Sequence, residues 1–371
     1  MEDASKKINV LVCGTRFGKF YVEAIKRRTK GMRLVGIMTR GSEKSKRYAE
    51  MLHTALYTTI EEVPVTELNF VCIAVKTSIM GGEGTELALE FLERGVSVVL
   101  EQPVHSRDIV KCVKIAAKNK VFFIVGNLYK NTGSVNNYIA ILKKLVKLDR
   151  PLYLEMKLAT QVSYPAAALL NTIIENRKLS FENTAITINK GFSVLKGYSE
   201  SLPVILFADN RADPQNADTH LPLFYQFNVG FNSGNLTLPE AFSNTLWLPA
   251  MSIENERDGV QKLPFEMKRN LMDETTNRLT AGPIHTFAEI FEKDWPEAIA
   301  LDLDKMCSFL KGDNYDEYNT YIRNEINAAE TWQKIMGNYG YPELKNNDDY
   351  VHIDTESIKS RRGEDERTGF I

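Results

Sequence analysis

The chain has no surplus of either charge. In 371 residues, 46 Lys and Arg stand against 48 Asp and Glu, a formal net charge of −2. That balance argues against a nucleic-acid partner or an anionic membrane surface, since both select basic clusters. Cysteine is also scarce. Cys13, Cys72, Cys112 and Cys307 are the four present, far apart and without a C-x-x-C. This fits a reduced cytoplasmic compartment and excludes a zinc ribbon or a disulfide framework, so no metal site is expected. No apolar run approaches the ~20 residues that span a bilayer. The first residues lack the apolar core of a signal peptide. Internal repeats and low-complexity tracts are missing too. The length predicts about two domains.

What is present is concentrated near the start. Ile8-Asn9-Val10-Leu11-Val12 reads as a buried strand, and Cys13-Gly14-Thr15-Arg16-Phe17-Gly18 as a tight turn. Phe17, Phe20, Tyr21, Ala24 and Ile25 then form one helix face. Strand, turn and helix make a dinucleotide-binding opening, in which Gly14, Thr15, Arg16 and Phe17 approach a pyrophosphate at a helix N-terminus. Set against G-x-G-x-x-G, only the third glycine, Gly18, is in place; Cys13 and Thr15 hold the other two positions. An ordinary strand-to-helix turn is the competing reading.

The next strand, Met32–Met38, ends in Thr39-Arg40-Gly41-Ser42. An NAD-binding domain places Asp or Glu here to hold a ribose 2′-hydroxyl. An arginine fork and hydroxyls suit a 2′-phosphate instead, so Thr39, Arg40 and Ser42 predict NADP(H). Ser42 also suits a helix N-cap, before a helix with Tyr48, Met51 and Leu52 inward. Residues 69–75 form a buried strand, followed by a loop from Lys76 through Gly81, Gly82 and Gly84, whose glycines let backbone approach a ligand. Further strands at 96–100 and 121–125 flank a helix capped by Ser106. A helix lined by Val135 to Val146 stops at Pro151. Strands alternating with helices over residues 1–150 predict a doubly wound parallel Rossmann sheet.

Beyond residue 150 the pattern changes. A helix at 165–177 is followed by strand-like segments at 184–188, 192–195, 204–208, 223–231, 234–238 and 245–249. Asn232-Ser233-Gly234-Asn235 is a hairpin signal. The fold class is thus α/β plus α+β, with a second domain at 151–342 built on a predominantly antiparallel sheet. It closes with helices at 297–311 and 315–336. The polar tail, 343–371, reads as loosely attached.

This architecture, with Glu101-Gln102-Pro103 after a Rossmann strand, resembles the glucose-fructose oxidoreductase / inositol dehydrogenase (Gfo/Idh/MocA) family. Phe17-Gly18 with Tyr21, Gly41-Ser42-x-x-Ser45, Ser78-x-x-Gly81-Gly82-x-Gly84-Thr85 and Asn127-x-Tyr129 are similar to thiazolinyl imine reductases within it. The likeness is dense over 8–135, thinner over 218–247, and fades in the tail. It implies NADPH-dependent reduction of a thiazoline tethered to a carrier protein of a nonribosomal peptide synthetase, in siderophore assembly, by a homodimer. Glu101 is expected beside the cofactor, and Lys76, which follows a strand, to meet its ribose or nicotinamide, a solvated charge being the competing reading of Lys76. The imine reductases carry histidine at the position of Gln102, and the wider family lysine. Glutamine does not titrate but can hydrogen-bond substrate or nicotinamide. Tyr129 is then the expected proton donor, with Gln102 beside it. A sugar or polyol oxidoreductase and a non-catalytic nucleotide-binding regulator are the alternatives.

Overall fold

The computed structural model describes residues 7–28, 31–75, 81–182, 184–213, 221–252, 274–312, 314–345 and 351–359. Its first half alternates strand and helix except between β3 and β4, which two 3₁₀ turns join: β1 (Ile8–Cys13), α1 (Gly18–Arg27), β2 (Met32–Met38), α2 (Glu43–Leu52), β3 (Ala55–Tyr57), β4 (Phe70–Ile73), α3 (Glu83–Glu93), β5 (Ser97–Glu101), α4 (Ser106–Lys118), β6 (Phe123–Gly126) and α5 (Gly133–Leu145). The six strands pair in parallel in the order β3-β2-β1-β4-β5-β6. Strand order reverses between β1 and β4, and ligands bind outside the strand C-termini at such a point. β4 and β6 are buried at every residue, which explains their unbroken apolar sequence.

The second half follows as β7 (Pro151–Ala159), α6 (Ser163–Ile173), β8 (Leu179–Phe181), β9 (Ile186–Asn189), β10 (Phe192–Ser199), β11 (Leu202–Asp209), β12 (Arg211–Ala212), β13 (Tyr225–Phe231), β14 (Gly234–Leu238), β15 (Leu246–Pro249) and β16 (Asn277–Arg278). Nine of these strands form one sheet, in the order β16-β15-β14-β13-β7-β11-β10-β8 with β9 beside β10. All its pairings are antiparallel except β7 with β11. The predicted hairpin joins β13 and β14, Phe231 facing Gly234.

The late helices do more than finish this sheet. A short α7 (Phe287–Glu289) runs through a π-helical turn, Ile290–Asp294, into α8 (Trp295–Leu310), and α9 (Tyr315–Tyr339) follows. α8 packs on α1, and α9 on α4 and α6. β6 is an edge strand, and α9 satisfies its outer backbone. The Tyr318 hydroxyl donates to Phe123 O at 3.1 Å, and that of Tyr321 to Val125 O at 2.7 Å. An otherwise open sheet edge is thereby covered.

Several local expectations are corrected. β3 and β8, three residues each, were too short to show a period. Met51 is 65 % exposed and Val146 39 %, so neither faces the core. α4 is capped by His105, whose Nδ1 accepts from Arg107 N at 3.1 Å. Ser106 is one residue inside the helix, and its hydroxyl donates to Gln333 Oε1 at 3.0 Å. In the tail, β17 (Glu343–Leu344) pairs with β12, and α10 (Thr355–Ile358) is exposed. No described helix is long and apolar enough to cross a membrane.

Candidate active site

The turn after β1 is built around Gly14. Its φ is +90°, and a Cβ there would lie 2.6 Å from Ala74 O on β4's continuation. Only glycine fits both constraints. The turn therefore sits directly on the strand-order reversal, with α1 starting at Gly18. Thr15 and Phe17 are half-buried beside it and Arg16 is exposed. Thr15 Oγ1 lies 3.3 Å from Ser45 Oγ, and Ser45 Oγ lies 2.9 Å from Ser42 Oγ. Ser42 does cap α2, accepting from Ser45 N. Three hydroxyls thus link the turn to the loop after β2. Thr39 Oγ1 accepts from Gly41 N at 3.1 Å, fixing that loop. The Arg40 guanidinium is 84 % exposed and ion-paired with Glu83, the first residue of α3. Lys76 lies outside the described residues.

Two further strand ends converge on the same crevice. Glu101 ends β5, and its carboxylate accepts from the Tyr21 hydroxyl at 2.5 Å. Burial pushes the carboxyl up to about 8; Asp302 adds to the rise, and the Tyr21 bond opposes it. The next peptide, Gln102–Pro103, is cis. Gln102 Oε1 is buried without a protein partner. β6 ends opposite, at Gly126, in register with Glu101. Asn127 follows, 2 % exposed, and neither its Oδ1 nor its Nδ2 meets a protein group. Its backbone N–H donates to Asp302 Oδ2 at 2.9 Å, while Asn131 Nδ2 donates to Asp302 Oδ1 at 2.8 Å. Asp302, from α8, thus brackets the 3₁₀ turn Leu128–Asn131. Burial lifts its own carboxyl to about 6 against these two bonds.

That turn carries Tyr129. Its ring lies 5.7 Å from Trp295 and 6.2 Å from Tyr225, edge-on to both, with Phe224 and Phe242 at 6.1 and 6.4 Å. Trp295 reaches on to Phe17 and Phe20 of the cofactor-side helix, at 5.9 and 5.0 Å. An aromatic wall therefore runs from the first turn of α1 to the inner face of the second sheet. Behind it, Glu240 has its carboxyl raised by burial, and the Tyr225 hydroxyl is buried, unpartnered and pushed well above its ordinary value by burial.

Buried amides without partners are costly unless a ligand or water satisfies them. Gln102 and Asn127 offer such groups at adjacent strand ends, next to a glycine turn that admits close backbone approach. This donor set fits a dinucleotide: Gly14 to Phe17 for the pyrophosphate, the loop at 39–42 for the adenosine end, the two amides for the nicotinamide end. The structure thus brings Gly14, Thr15, Phe17, Ser42, Glu101, Gln102 and Tyr129 around one crevice. Asn127, Trp295, Asp302, Ser45 and Glu83 belong to its surroundings without having been singled out as site residues. Asn127 had a signal, an amide at the end of a buried strand. Asp302 and Trp295 had none, being some 170 residues distant in sequence from the groups they hold.

Comparison with known proteins agrees with this reading. Residues 8–127 match the model of the GFO_IDH_MocA oxidoreductase family, NAD-binding Rossmann fold. No curated protein sequence matches. Among solved structures, an oxidoreductase from Agrobacterium radiobacter in complex with NAD+, L-tartaric acid and magnesium superposes with a TM-score of 0.63 at 9% identity, over 88% of this chain and 95% of the other. UDP-N-acetylglucosamine 3-dehydrogenase GnnA from Acidithiobacillus ferrooxidans gives 0.60 at 10% identity, over 90% and 98%. A putative myo-inositol dehydrogenase from Sinorhizobium meliloti gives 0.58 at 13%, over 88% and 95%. At these identities the likeness is one of fold.

Proposed function

Since residues 8–127 carry the NAD-binding Rossmann fold of the Gfo/Idh/MocA oxidoreductases, we propose that this chain is an NADPH-dependent reductase of a carbon–nitrogen double bond. The substrate is a thiazoline ring held on a carrier protein, reduced to a thiazolidine, and the working unit is a homodimer in the cytoplasm. Bound NADPH supplies the hydride to the ring carbon. The chain's own task is to orient that carbon and to give the ring nitrogen a proton.

The reading is carried by two residues that follow neighbouring strands, Gln102 directly after β5 and Tyr129 in the turn after β6. Oxidation of an alcohol needs a base for the hydroxyl proton, and Gln102 cannot serve. An imine needs an acid that is protonated at neutral pH, which a phenol with a reference pKa of about 10 provides. Tyr129 stands on a turn clamped by Asp302 and in a wall of rings, so its orientation is set before substrate arrives. The aromatic surroundings exclude water from the developing charge on nitrogen. Gln102 and Asn127 present buried amides that hold ligand rather than move protons.

Tyr129→Phe removes the acid but keeps the ring. A positioned general acid contributes about 10²–10⁴-fold, so kcat for a soluble thiazoline analogue falls by that range. The dissociation constant for NADPH stays within about twofold, a margin taken from the same reasoning that the ring is retained. Unchanged turnover removes Tyr129 from this role. Turnover of sugars or polyols by the native protein, with none of thiazolines, selects the dehydrogenase reading.

A further inference from the structure

A family Rossmann domain that uses NAD holds the adenosine ribose with a carboxylate after β2. This chain has none there, and that position carries Arg40. Yet a carboxylate does reach the same place from elsewhere. Glu83 opens α3, after Gly81 and Gly82, both at positive φ. Gly81 N donates to Asp108 Oδ2 at 2.7 Å, anchoring the loop to α4. Both carboxylate oxygens of Glu83 bond one nitrogen of Arg40, Nη2. Glu83 has no other hydrogen-bonding side chain against it among the described residues. In the same loop the Thr39 hydroxyl is committed to Gly41 N, and the hydroxyls of Ser42, Ser45 and Thr15 are linked to one another.

We propose that Glu83 is a specificity-determining residue for the cofactor: it competes with the 2′-phosphate for Arg40 and so narrows the preference for NADP(H) over NAD(H). The inference rests on the NADPH reading above. A 2′-phosphate approaching Arg40 must share the guanidinium with Glu83 and meets its negative charge. An exposed pair of this kind holds Arg40 only weakly, so the phosphate is admitted, but at a cost that NADH does not bear. Nη2 belongs to both two-nitrogen edges of the guanidinium, so while Glu83 holds it the phosphate meets single donors only and must displace Glu83 to be gripped by a fork. The consequence is a cofactor site that accepts both dinucleotides with a smaller ratio than an unopposed arginine gives.

The test is calorimetric titration of NADPH, NADH and 2′,5′-ADP into the full chain and into Glu83→Gln. Glutamine keeps the length and hydrogen-bonding reach and removes the charge. NADPH and 2′,5′-ADP are expected to bind about three- to tenfold more tightly, the range set by one close charge at an exposed site. NADH is expected to move by less than about twofold. Arg40→Ala in the Glu83→Gln chain returns NADPH affinity to the level of NADH. Weaker or unaltered NADPH binding in Glu83→Gln overturns the proposal, as does an equal gain for NADH. Arg40→Ala alone separates the two ideas. Should it leave NADPH and NADH equally affected, the NADPH reading itself fails.

Discussion

The two sheets solve the same problem of burial in opposite ways. In the six-stranded sheet, β1, β4, β5 and β6 are almost wholly buried, and their C-terminal ends lie side by side. In the nine-stranded sheet β10 alternates buried and accessible residues, and β9 is exposed throughout. One face packs on α6 and α9. The other carries a polar lattice in which Tyr153 donates to Asn235, Asn228 to Tyr153, and Thr237 to Asn228. Strands buried on both sides leave no room for adjustment, so a ligand site at their ends is held rigidly. The half-covered sheet can give way at its edges. The candidate site accordingly lies at the strand ends of the first, while Tyr225, Phe224 and Phe242 from the second half pack against Tyr129.

The sharpest way to break this contrast is to add one methyl group to the rigid sheet. A Cβ at Gly126 would lie 2.2 Å from the Tyr21 hydroxyl and 3.2 Å from Glu101 Oε2. Neither can retreat, since Tyr21 is 1 % exposed and bonded to Glu101. Gly126→Ala is therefore expected to lose about 3 kcal/mol or more in chemical denaturation, combining overpacking with a broken buried hydrogen bond. A loss below about 1 kcal/mol would show that β6 moves as freely as an edge of the other sheet.

The second effect concerns pH. Glu101 and Asp302 have folded values raised to about 8 and about 6, so the native state binds their protons more tightly than the unfolded chain does. Stability from these groups is therefore highest in acid. It declines as pH rises from the unfolded carboxyl values near 4 through 6 for Asp302 and through 8 for Glu101. Glu101→Gln keeps an acceptor for the Tyr21 hydroxyl and removes the buried charge. Thermal or urea unfolding at pH 9 is expected to show a gain on the order of 2 kcal/mol, shrinking to nothing near pH 5. A gain that does not depend on pH contradicts the buried-charge account.

How much of this was readable from sequence follows the same division. The doubly covered strands announce themselves as continuous apolar runs, and the hairpin at 232–235 by its turn residues. Gly14 and Ser42 were legible because turns and caps are local. The parallel pairing of β7 with β11 was not, because register between distant strands leaves no local mark. Asp302 and Trp295 look in sequence like any acid and aromatic on an amphipathic helix. Their role comes from α8 crossing back over α1, which periodicity cannot express. Glu83 read as part of the Gly-rich loop, whereas it opens α3, and only the fold brings it to Arg40.

The smallest expected effect completes the comparison. Gly197 lies in β10, buried, and a Cβ there would come 2.5 Å from Ser180 O and 2.7 Å from Phe181 Cδ1. By distance alone the clash is nearly as severe as at Gly126. The difference is what stands opposite. Ser180 and Phe181 belong to β8, three residues at the edge of the sheet, with β10 its one strand neighbour among the described residues. An edge strand can shift outward and keep its other contacts, whereas Tyr21 is pinned between two layers. Gly197→Ala is thus expected to cost about 1 kcal/mol, near the lower end of overpacking penalties, and to leave dinucleotide affinity unchanged. A loss equal to that of Gly126→Ala in parallel urea titrations would mean that the edge is as rigid as the buried sheet, and rigidity would no longer explain why the crevice lies where it does.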